Sequence, residues 1–100
     1  MTPKFDDSGL VLLLETFLTE LRREYFLLRI AVEVDKNEKA RPEFAKCRKF
    51  IQSAYFGRLS SLDGRFVLEN LDREDPMRGY EKAIEDGRKL EAKRGYGKTV

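Results

Sequence analysis

The sequence predicts an all-α protein: a long N-terminal helix forms a helical hairpin with a second helix, and a C-terminal helix follows. Three observations predict it. Apolar residues recur at helical spacing from Leu10 to Val32, Pro42 and Pro76 stand where first-turn prolines belong, and a short polar stretch separates the first two helices.

The first helix follows a polar lead-in, with Asp7 or Ser8 placed to cap it through a short side-chain oxygen. Leu10, Leu14, Phe17, Leu21, Tyr25, Leu28 and Val32 then share one face, and Val11, Leu13, Leu18 and Ala31 widen it. Neither Pro nor Gly interrupts before residues 35–39, so the helix should run for about 25 residues and about 38 Å. Its far side is also apolar. Leu12, Phe26, Leu27, Ile30 and Val34 lie away from the main stripe. A helix apolar on two faces is either sandwiched in a core or offers its second face to another chain.

The second helix begins near Pro42 and carries Phe44, Cys47, Ile51, Ala54 and Tyr55 on one face, with Gly57 as its expected left-handed cap. The short connection makes the pair antiparallel. Residues 58–72 read less simply. Asp63-Gly64 between apolar runs is a two-residue hairpin signal, so a short β-hairpin here is the α+β alternative. The flanks do not alternate cleanly, so the preferred reading is a turn followed by a short helix or extended piece over Phe66 to Leu71. The C-terminal helix opens at Asp75 and Pro76 and carries Met77, Tyr80, Ala83, Ile84 and Leu90. Gly87 should weaken it by up to about 1 kcal/mol. A single domain over residues 1–94 with a flexible tail at 95–100 accounts for the chain.

Composition narrows the function. The chain has no histidine and one cysteine. A histidine-based nucleophile system cannot be assembled from it, nor a multi-cysteine zinc site or an internal disulfide. The carboxylates fall on faces shared with Lys and Arg, as on an ordinary solvated surface. The expectation is no enzyme, no metal and no cofactor. The opening residues are too acidic for a signal peptide. Leu10 to Val32 carries six charged residues, each costing on the order of 3 kcal/mol at a bilayer's centre. Without a membrane segment, the single cysteine leans towards the cytoplasm. Gly97-Lys98-Thr99 imitates the end of a phosphate-binding loop. That loop needs glycine where Ala92 stands, and a following helix.

Two interaction readings remain. The leading one is a small protein–protein interaction module, acting as homodimer, adaptor, inhibitor or regulatory subunit. It would bind another protein or itself through Leu12, Phe26, Leu27, Ile30 and Val34, rimmed by Arg23 and Glu33. The alternative is a nucleic-acid-binding module on the basic 39–58 helix. There Lys46, Arg48, Lys49 and Arg58 would meet phosphate and Tyr55 would stack on a base. Lys plus Arg total 20 against 18 acids, a net of only +2, which gives no global attraction to nucleic acid. The same cations could instead answer the acidic stretch 69–75, within the molecule or on a partner.

Overall fold

In the computed structural model the backbone is described for residues 7–95 and the side chains for residues 11–93. Gly95, expected to begin the tail, still belongs to the last helix, while residues 96–100, with the Gly97-Lys98-Thr99 sequence, and the capping side chains Asp7 and Ser8 lie outside those limits. Among the described residues there are five helices and no strand, with α1 packed mainly against α2 and α5.

α1 (Asp7–Glu33) is one unbroken helix of 27 residues, about 40 Å long. It closes on Lys36, which takes the left-handed conformation usually given to glycine, with φ 54°. The Asn37 side chain then accepts a hydrogen bond from the Lys39 amide (3.0 Å) and turns the chain into α2 (Ala40–Ile51). The rings of Tyr25 and Phe44 lie 5.3 Å apart and those of Phe17 and Phe50 6.2 Å apart, so α2 runs antiparallel to α1.

The second helix does not reach Gly57. It stops at Ile51, and Ser53 starts α3 (Ala54–Ser60). The Ser53 hydroxyl donates to the Phe50 carbonyl (2.6 Å) and accepts from the Phe56 amide (3.1 Å). A serine side chain thus satisfies the groups that continuing the helix would have satisfied. Gly57 is not a cap. It lies inside α3 and has no positive φ, whereas Ser61, with φ 63°, is the left-handed residue that ends the helix.

The reading of residues 58–72 as a turn followed by a short helix holds, because Asp63-Gly64 opens a helix rather than a hairpin. The Asp63 carboxylate accepts from the Arg65 amide (3.0 Å) and caps α4 (Gly64–Arg73). Gly64 rests on the backbone of Ile51 and Gln52, where any Cβ would overlap the Ile51 carbonyl oxygen. The α+β alternative therefore falls. Arg29 of α1 reaches the end of α4 and donates to the carbonyls of Leu71 and Glu74, both at 3.1 Å.

α5 (Pro76–Gly95) starts as its sequence predicts, with the Asp75 carboxylate accepting from the Arg78 amide (3.0 Å). Gly87 does not break it. Gly79, Ala83 and Gly87 instead recur every four residues as a small-residue stripe against α1. The Phe26 ring covers Gly79, Ala83 is fully buried, and Thr19 faces Gly87. These pairs make α5 antiparallel to α1 as well. Tyr25, Phe26, Ile51, Phe56, Leu68 and Leu71 form the core where α1 meets the shorter helices. The molecule is elongated, 53 × 33 × 22 Å.

Candidate interaction surface

The five apolar residues expected on the far side of α1 separate into different environments. Phe26 belongs to the core and is 2% exposed. It is packed edge-on against Tyr25 at 5.1 Å and laid over Gly79 of α5. It therefore leaves the exposed set, because the small stripe on α5 lets that helix approach closely enough to seal the ring. Leu12 and Ile30 are half-buried. Leu27 and Val34 stay open, 45% and 57% exposed. Leu27, Ile30 and Val34 lie within one turn-to-turn row, since spacings of three and seven residues share a helix face. The Val34 amide bonds to the Ile30 carbonyl (2.8 Å) and continues that face past the end of α1. Towards the N-terminus the row meets Glu24, Arg23 and Glu20, the last two joined at 2.8 Å. Leu13, exposed beyond them, forms a separate apolar island.

The basic residues expected to meet nucleic acid also separate. Arg48 grips Asp72 with two hydrogen bonds (2.7 and 3.2 Å) and lies over the Phe44 ring at 5.7 Å. The buried Tyr25 hydroxyl donates to the same carboxylate. Burial pushes the Tyr25 phenol well above its ordinary range, so it keeps its proton as this donor. Partial burial alone would raise the Asp72 pKa. The hydrogen bonds from Arg48 and Tyr25, with the charges of Arg48 and Arg29, outweigh burial and hold it below the usual value. Arg48 thus answers the acidic 69–75 stretch within the molecule and ties α2 to α4. Lys46 pairs with Glu43 at 3.6 Å. Lys49 and Arg58 have no ion-pair partner among the described residues. Tyr55 is 57% exposed beside Phe50, the rings 6.2 Å apart. Cys47 is half-buried at the core margin. Burial, with the nearby Glu24 charge, pushes its thiol up to about 11 against the opposing charge of Arg48. That environment suits a packed, unreactive thiol.

The sequence reading did not single out the surface of α3 and α4. Leu59, Leu62 and Phe66 are open to water there, Phe66 at 64%. They were legible as apolar residues, but a turn followed by a short helix or extended piece gave them no common face. A shallow groove of about 460 Å³ also runs between α1 and α5. Its floor includes Leu18 and Leu90, and it is flanked by Lys89, Lys93 and the Arg22–Asp86 ion pair (2.6 Å). Every buried side-chain N or O among the described residues has a hydrogen-bond partner, so no unsatisfied polar group points into it. Among the described residues there is no cluster of three metal-ligating side chains, and no helix is long and apolar enough to cross a membrane.

No family model, no curated protein and no solved structure matches this chain.

Proposed function

We propose that the protein is a small helical protein–protein interaction module, acting by binding rather than by catalysis. The reading covers a homodimer, an adaptor, an inhibitor or a regulatory subunit. The observation that supports it is the apolar row Leu27, Ile30 and Val34 on α1, in which Leu27 and Val34 are open to water and Ile30 is half-buried. Such a row gains about 25 cal/mol for each Å² of hydrocarbon removed from water, and a partner supplies that cover. Arg23 and Glu33 at its edges provide the polar rim. A single cysteine, with no disulfide partner in the chain, leans towards a reducing, cytoplasmic setting.

The test is a Leu27→Asp, Val34→Asp double variant, compared with wild type by light scattering after gel filtration and by affinity capture from the native host. We expect the wild type to run as a dimer or to retain a partner, and the variant to lose that association with its helicity unchanged. A monomeric wild type whose captured proteins are the same as the variant's would contradict the reading.

A further inference from the structure

From the surface formed by α3, its following loop and the start of α4, we infer a docking site for an acidic, apolar-bearing segment of a partner protein. This rests on the reading of the protein as an interaction module but uses a different surface from the α1 row. Four large apolar side chains, Tyr55, Leu59, Leu62 and Phe66, are exposed within twelve consecutive residues. The end of α2 holds both ends of this segment in place. Tyr55 packs against the Phe50 ring, and Gly64 sits on the Ile51–Gln52 backbone two residues before Phe66. The segment that carries the apolar groups is thus held against the end of α2.

The charges among them point to the partner's chemistry. Arg58 stands between Tyr55 and Leu59 on the open side of α3, Arg65 adjoins Phe66, and Lys49 lies on the last turn of α2. None of the three has an ion-pair partner among the described residues. The segment and the turn after it also carry two acids, Asp63, which accepts from the Arg65 amide, and Glu69, one turn further along α4, so the cations exceed the acids by three to two. Exposed aromatics interleaved with arginine match the composition of protein-binding hot spots, and cations left unpaired favour carboxylates opposite them. The aliphatic Leu59 and Leu62 favour a protein over single-stranded nucleic acid, because they give a base no π-face on which to stack.

The experiment titrates the full chain with three labelled probes, followed by fluorescence anisotropy. They are a short peptide in which Asp and Glu alternate with Leu and Phe, its twin with Lys for every acid, and oligothymidylate. We expect the acidic peptide alone to bind, and more weakly as salt rises from about 50 to about 300 mM. Arg58→Glu with Arg65→Glu, and separately Tyr55→Ala with Phe66→Ala, should each weaken it by about tenfold or more. All four positions are exposed, and circular dichroism checks that each variant keeps its helices. Leu27→Asp with Val34→Asp should leave this binding unchanged, which separates failure of this site from failure of the α1 row. The inference is overturned if the acidic peptide does not bind, if the Lys twin binds equally, or if both α3–α4 double variants bind like wild type. Binding of oligothymidylate in place of the peptide would overturn it in favour of nucleic acid.

Discussion

Phe26 and Leu27 are neighbours in sequence with opposite fates, and the difference is measurable. Truncating the sealed Phe26 ring to alanine should cost about 3–5 kcal/mol in urea unfolding. Leu27→Ala should stay within about 0.5 kcal/mol, as surface changes do. The two glycines under α1 diverge in the same way. A Cβ at Gly79 would sit 2.5 Å from the Phe26 ring, which Tyr25 holds from behind, so Gly79→Ala should destabilise by about 1–3 kcal/mol. At Gly87 the nearest atom would be the Thr19 methyl at 3.8 Å, an ordinary contact. Gly87→Ala should therefore stabilise by up to about 1 kcal/mol through better helix propensity. Asp72 adds a pH dependence. Its folded pKa is depressed, so its contribution is complete above the ordinary Asp value of about 3.9 and is lost as pH falls through the lower folded value. The stability gap between wild type and Asp72→Asn should be widest above about pH 5 and shrink towards about pH 2. At Cys47, a thiol raised to about 11 against an ordinary value of 9.0 leaves on the order of 100-fold less thiolate at pH 8. Iodoacetamide should alkylate it slower by a similar factor in the folded chain than in urea.

At the scale of the elements, the sequence was most legible where one signal had no rival. α1 was readable from its long apolar period, and α5 from Asp75 followed by Pro76. The misreadings sit at residues with two possible uses. Ser53 falls inside the span expected for the second helix, because its capping role depends on a chain reversal that periodicity does not display. Asp63-Gly64 carries the same two letters whether it turns a hairpin or caps a helix. What decided it was the Ile51 carbonyl lying against Gly64, a contact between elements rather than along one. Gly87 was visible only as a propensity cost, since a small-residue stripe has meaning only once another helix is laid on it. Removing the caps tests these assignments. Ser53→Ala and Asp75→Ala should each cost about 1 kcal/mol.

At the scale of the whole molecule, the radius of gyration of 15.6 Å exceeds the roughly 13 Å of a compact 100-residue domain. Four helices set around a fifth 40 Å long cannot enclose it. This is why the five apolar residues expected on the second face of α1 divide by exposure. Phe26 is covered by α5, while Leu27 and Val34 point away from the packed helices and stay open to water. The counting of apolar residues revealed that surplus hydrocarbon exists, but the register of α5 against α1 decides which side chains carry it. The same limit hid the α3–α4 surface, whose residues are held beside the end of α2 only because Ser53 and Gly64 fold the chain back onto it.

The most direct measurement is the mass of the wild-type and Leu27→Asp, Val34→Asp proteins by light scattering, paired with quantitative capture of bound proteins from the native host. A dimer or a captured protein that disappears in a fully helical variant is the predicted result. Two monomers that retain the same set of proteins would contradict the assignment of the α1 row as a binding surface.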